Sequence, residues 1–328
     1  MSGRWAVRPQ MSVILMPVDL LVERGERRVA LRRALDTAFR VLRQENTRVK
    51  FDFSRVAKIF PGGMLVFLAH LELMTLMCPG RVSVRAPPGS IPAQLIEHFG
   101  INGLLGASPL AVAPHHESVV NWRYVTGTGS DGAKINELLE SYKRQTEAEI
   151  PEGLYDVLAE AFTNVRHHAF PEERKLFDEL KRWWLFSRYV APTDGQPGNL
   201  FIAIYDIGVG IQNSMRSKLK TGEMILDATD EILKLLGGQQ TTRLEKLLLK
   251  RAVEHERSST GLKNRGLGLP EMKEFVLSTE GGRLYILSGR AQYSCVASTG
   301  KGEVFECING FPGTLILWSL PLAQKEPA

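Results

Sequence analysis

The chain of 328 residues is poor in the features that most often assign a protein at sight. It has three cysteines, Cys78, Cys295 and Cys307, odd in number and far apart. That argues against a disulfide framework and against a zinc site, and it points to a reducing, cytoplasmic setting. Long apolar runs are missing too. The longest, Met64 to Met77, is interrupted by His70 and Glu72 and is too short and too polar to span a bilayer. The first residues lack the basic-then-apolar pattern of a secretory signal. Neither charge sign dominates: 41 Lys and Arg stand against 36 Asp and Glu, a net charge of +5. Such a balance permits an acidic partner without demanding nucleic acid. No internal repeat is visible. A Gly-x-x-x-x-Gly-Lys-Ser/Thr signature is also absent, which excludes a P-loop.

What is present reads as a globular α/β (α+β) chain long enough for two domains. In the first part, residues 11–22 look like a strand. Residues 26–45 follow helical spacing, with Val29, Leu35, Ala38, Val41 and Leu42 apolar. The arginines around them (Arg24, Arg27, Arg28, Arg32, Arg33, Arg40 and Arg43) read as a solvated face rather than a nucleic-acid surface. A second strand, 48–53, leads to a turn at Pro61, Gly62 and Gly63, a buried helix at 64–77 and a strand at 81–86. A short helix at 90–99 then ends at Gly100, a natural C-cap. Strands alternating with helices predict a sheet covered by helices. A Gly- and Ser-rich stretch at 127–132 suggests a boundary, with domains at 1–120 and 135–328 and a linker at 121–134. The stretch also fits Gly-x-Gly-x-x-Gly. A dinucleotide fold would need a helix, a second strand and an acidic residue after it, whereas helical sequence continues to Phe162. Strands at 182–190 and 199–205, joined by turn chemistry, predict an antiparallel hairpin. Residues 211–263 are polar and helical, and 282–288 and 314–320 are the last strong strands.

Three motifs in this half carry chemistry. Glu160, Asn164 and His168 are spaced i, i+4, i+8, so one continuous helix would show all three on a single face. An amide oxygen there can ligate Mg²⁺, and a carboxylate one turn away can orient or deprotonate a nucleophile. On its own, the spacing equally fits a polar stripe on an amphipathic helix. Asp206, Gly208 and Gly210 directly follow a strand. An Asp there can accept a hydrogen bond from an exocyclic amine such as that of adenine, and the glycines let backbone turn closely around a ligand. An ordinary strand-to-helix turn would look the same. Asn264, Gly266, Leu267 and Gly268 run through Pro270 into a helix. Such a turn exposes backbone N–H groups and a partial positive charge, which suits a phosphate. Adjacent His167 and His168 point about 100° apart on a helix, which is wrong for joint metal ligation.

In this order, the three motifs resemble those of the GHKL, or histidine-kinase-like, ATP-binding superfamily. Residues 160–168 look like its N box, 206–210 its first glycine box and 264–269 its second. Gly313-Thr314 looks like its terminal Gly-Thr element. The resemblance covers roughly residues 135–320 and implies a Bergerat-type α/β sandwich with a mixed sheet. It also implies the cofactors, ATP and Mg²⁺, and the roles. Glu160 would be the catalytic residue, Asn164 the Mg²⁺ ligand, and Asp206 and Thr314 the readers of adenine. Gly208 and Gly210 would line the base pocket. Gly266, Leu267 and Gly268 would hold phosphates, with His168 and Asn264 beside the nucleotide. Residues 211–263 would form a lid in which Ser259 and Thr260 donate to phosphate oxygens. Asn264 stands where many relatives have glycine, and the pairing of Glu160 with Asn164 and His168 looks most like the anti-sigma-factor serine kinases.

Residues 49–77 and 96–106 resemble a STAS domain. The Asp-Ser-Ser-Gly turn of that family is Phe60-Pro61-Gly62-Gly63 here, without a hydroxyl, so the resemblance implies a module that docks a protein partner rather than one that receives phosphate. The expected function is an ATPase or serine/threonine-kinase-like signalling regulator, or a nucleotide-gated interaction module without phosphoryl transfer. A homodimer is allowed, and neither membrane nor nucleic acid is expected as a partner.

Overall fold

A computed structural model describes residues 9–108, 116–128, 132–145, 149–171, 181–193, 196–220, 241–254 and 268–322. The chain is mixed α/β and divides between Trp122 and Arg123 into two compact units. The first contains β1 (Gln10–Leu15), β2 (Asp19–Leu20), α1 (Gly25–Leu42), β3 (Thr47–Asp52), β4 (Lys58–Ile59), α2 (Pro61–Met77), β5 (Val82–Arg85), α3 (Ile91–His98), α4 (Ile101–Leu104) and α5 (Glu117–Val120). Strands β1, β3 and β5 form a parallel sheet in that order, and β2 pairs with β4. The strand expected over 11–22 is therefore two. Pro17 has no N–H to give a ladder, and pairing stops beside it. α2 starts at Pro61 rather than 64, because proline suits the first helical position. Its residues Met64 to Leu71 are all buried, His70 included, with the ring Nδ1 2.8 Å from the Val66 carbonyl oxygen. One arginine of α1 leaves the solvated face: Arg28 is buried and donates to the Val22 carbonyl.

In the second unit, β6 (Trp122–Gly127, its first residue the last of unit one), β7 (Trp183–Val190), β8 (Gly198–Asp206), β9 (Arg283–Val296) and β10 (Lys301–Leu322) form one sheet in the order β6-β7-β8-β10-β9. The segment expected as a linker thus supplies a strand. The registered ladders, β7 with β8, β8 with β10 and β10 with β9, are all antiparallel, where a mixed sheet was expected. The helices are α6 (Gly132–Gln145), α7 (Leu154–Asn164), which continues as one π turn over Val165–Ala169, α8 (Ile211–Lys220), α9 (Thr241–Glu254) and α10 (Gly268–Ser278).

Strand alternation explains the core. Trp183 and Leu185, then Leu200, Ile202 and Ile204, then Leu284 and Ile286, then Ile316, Trp318 and Leu320 share one face of the sheet. They are buried with Leu158, Ala161, Phe162 and Val165 from α7 and its π turn, Leu249 and Val253 from α9, and Met272 and Val276 from α10. The Phe162 and Trp183 rings lie 4.2 Å apart. α8 and α9 are built into the unit as well: Met215, Leu244 and Leu248 form a second buried cluster between them. Two helices of the expected lid are therefore structural, and residues 221–240 and 255–263 of it lie outside the described residues.

β9 cannot be straight. Fourteen extended residues span about 45 Å, yet the Ala297 amide donates to the Gly282 carbonyl at 2.9 Å across the whole strand. The strand reverses at Gly289, whose φ of +52° is open to glycine at little cost. The extension of β9 and β10 through 289–313 was missed in the sequence, where glycines at 289, 300, 302, 310 and 313 mimic a loop. Among the described residues no helix is long and apolar enough to cross a membrane.

Candidate functional site

On three of the strands the apolar stripe of the helix-covered face ends in a polar residue. Leu200, Ile202 and Ile204 lead to Asp206; Ile316 is preceded by Thr314; Leu284 and Ile286 lead to Ser288. These three ends stand in register across adjacent strands, Asp206 opposite Thr314 and Thr314 opposite Ser288, and Trp183 flanks Asp206 on the other side. The alternation that fills the core thus closes it with a polar row, buried at Asp206 and Ser288 and half-buried at Thr314.

Asp206 is 3% exposed. Its Oδ1 accepts the Gly208 amide at 2.7 Å, and the carboxylate also accepts the amide and hydroxyl of Thr314. Burial outweighs those donors and pushes its pKa up to about 7. Ser288, fully buried, donates to the Gly313 carbonyl at 3.1 Å and accepts the Ile211 amide at 3.0 Å, which caps the first turn of α8. Its hydroxyl lies 3.5 Å from that of Thr314. Ser288 is a site residue that the sequence reading missed. Part of its signal was available, a hydroxyl at the end of an apolar stripe; its register with the other two polar ends was not.

The turn after Asp206 sits against the end of the first motif. The Val209 amide donates to the Ala169 carbonyl at 2.8 Å, and the space a Gly208 side chain would need is filled by Ala169. Gly210, buried at φ +82°, presents its open side to Ser288 Oγ. Gly208 and Gly210 therefore serve close backbone approach within this corner.

The third motif meets the first directly. A Cβ on Gly268 would lie 2.5 Å from the Glu160 carboxylate and 2.6 Å from Asn164 Nδ2, so only glycine lets the start of α10 rest on the acid–amide pair. Asn264, Gly266 and Leu267, like Ser259 and Thr260, lie outside the described residues. Glu160 is half-buried. Burial first, and then repulsion from Glu271 on the first turn of α10, raises its pKa. The buried Nδ2 of Asn164 has no hydrogen-bond partner among the described residues. His168 follows Asn164 within the π turn, where i→i+5 bonding replaces the roughly 3.6-residue repeat that the i+8 spacing assumed. The His167 and His168 rings lie 6.2 Å apart at 74°.

Among the described residues, no group of three or more His, Cys, Asp or Glu side chains could hold a metal. The chemistry of Asn164 suits a cation that arrives with its own oxygen ligands, as Mg²⁺ does with phosphates and water. The arrangement amounts to a carboxyl–hydroxyl row at a sheet end, buried at Asp206 and Ser288, next to a helix start seated on an acid and an amide. No family model, curated protein or solved structure matches the chain.

Proposed function

We propose that the second unit binds ATP with Mg²⁺ in the GHKL manner, in a Bergerat-type α/β arrangement, and serves as a regulator that acts on or through a protein partner. The observation that carries this reading is the meeting of three motifs far apart in sequence: Gly208 on Ala169, and Gly268 on Glu160 and Asn164. Asp206, with Thr314 beside it, accepts the exocyclic amine of adenine. The N-terminus of α10 offers its unpaired amides to phosphate oxygens. Asn164 contributes an amide oxygen to Mg²⁺, and its buried Nδ2, a donor without a partner among the described residues, suits a phosphate oxygen. The ion supplies charge neutralisation along the phosphates. Glu160, whose pKa is raised, takes the proton of the attacking hydroxyl or water.

The alternative, a nucleotide-gated docking module without phosphoryl transfer, draws on the first unit, read as STAS-like. The start of α2, Phe60 to Gly63, has no hydroxyl to receive phosphate. Titration of ATP with and without Mg²⁺ tests the shared part of both readings. Wild type should bind and Asp206→Asn should bind far more weakly; equal binding by the two sinks the site. Phosphate release by wild type and Glu160→Ala separates the readings, since negligible, equal release with intact binding leaves only the docking module.

A further inference from the structure

The reversal of β9 at Gly289 is gripped by two helices. The Arg290 amide donates to Glu245 Oε2 of α9 at 2.6 Å. Gln212 of α8 donates through Nε2 to the Ser288 carbonyl at 2.6 Å, a buried bond. A Cβ on Gly289 would meet Glu245 Oε2 at 2.5 Å and Gln212 Oε1 at 3.0 Å, so both side chains close on the same turn. From that turn, Ser288 reaches Gly313 and the start of α8, and it stands beside Thr314, which donates to Asp206. An unbroken series of hydrogen bonds and register neighbours therefore runs from Glu245 of α9 to the buried carboxyl of Asp206.

We infer that Ser288, Gln212 and Glu245 are positioning residues that couple the seating of α9 to the base-reading pair Asp206 and Thr314. The inference rests on the ATP-binding reading and adds a regulated element to it. Ser288 has one hydrogen to give, and Gly313 takes it. A shift of the 288–290 turn therefore moves the Gly313–Thr314 backbone and the hydroxyl that Asp206 accepts. Gln212 and Glu245 fix that turn from two helices, and α9 lies flat on the core through Leu248, Leu249 and Val253. A base amine bound at Asp206 holds the row in one arrangement and firms α9. Linkage is reciprocal, so whatever firms α9 tightens the nucleotide. A partner that engages α9 thereby gains leverage over nucleotide affinity without touching the nucleotide.

The test compares ATP with inosine triphosphate, which lacks the exocyclic amine, in wild type, Ser288→Ala, Glu245→Ala and Asp206→Asn, each bound with Mg²⁺. Amide hydrogen exchange is followed over residues 241–254. ATP should slow exchange there in wild type and inosine triphosphate should not. Glu245→Ala and Ser288→Ala should bind ATP about tenfold more weakly, the loss of one charge-assisted or buried hydrogen bond. Their preference for ATP over inosine triphosphate should shrink, which a general loss of stability would not cause. Glu245 is half-exposed, so its variant decides the matter if Ser288→Ala does not fold. Wild-type affinity, preference and protection in folded Glu245→Ala overturn the coupling while Asp206→Asn still loses ATP. Failure of wild type to bind ATP, or full binding by Asp206→Asn, removes the nucleotide reading and the coupling with it.

Discussion

Asp206 is a carboxyl held in a place that favours its proton. Its folded pKa lies near 7, above the ordinary 3.8, because desolvation exceeds the help of three donors. The native state therefore binds more protons than the unfolded chain between these values. The group's contribution to stability is complete below about pH 4 and is lost as pH rises through about 7. In the nucleotide-free protein, wild type should lose stability relative to Asp206→Asn over that window, as measured by urea unfolding at stepped pH. Nucleotide binding should run the other way. An amine donor favours the carboxylate, so ATP affinity should rise as pH passes upward through about 7. At this scale much of the site was legible. Asp206 and Thr314 stood out because glycines follow or precede them at short spacing, and Glu160 and Asn164 because they sit one helical turn apart. Ser288 did not, because its meaning depends on strand register, which no short motif encodes. The π turn at Val165–Ala169, where His168 sits, was not legible either, because nothing in those residues announces it.

Among the elements, the sharpest departures lie where glycine density and polarity suggested loops or a lid. α9 carries lysines, arginines and glutamates between leucines, a pattern that suits an exposed cover as well as a helix with one buried stripe. Tertiary partners decide between them, and here Leu248, Leu249 and Val253 are fully buried. β9 looked short because Ser288-Gly289-Arg290 reads as the end of a strand, when it is the bend in the middle. Gly289→Val should cost about 1–3 kcal/mol for strain at a positive φ, besides pressing on Glu245. Gly289→Asn meets the same crowding but tolerates the backbone angle better, so it should cost less. Chemical denaturation of the two variants beside wild type measures the difference. The parallel strands of the first unit were easier to read. β3 and β5 carry alternating or continuous apolar runs and fall within a residue of their expected bounds, while the break at Pro17 divides the first strand.

At the scale of the molecule, the chain divides into two compact units, and all seven tyrosines fall after residue 122. Tyrosine absorbance should therefore report unfolding of the second unit alone. Saturating ATP and Mg²⁺ should raise that transition and leave the circular-dichroism change of the first unit in place. At a hundredfold excess over the dissociation constant the stabilisation is about 2.7 kcal/mol. The order of the second sheet has a further consequence for how such a chain is made. Residues 314–319, among the last to be paired, lie between β8 and β9 and pair with both. Until that stretch has left the ribosome, the halves of the sheet have nothing to join them, and Asp206 faces an empty slot in place of Thr314. The sheet of this unit can therefore close only late in its synthesis, and β8 and β9 keep an unpaired edge until then.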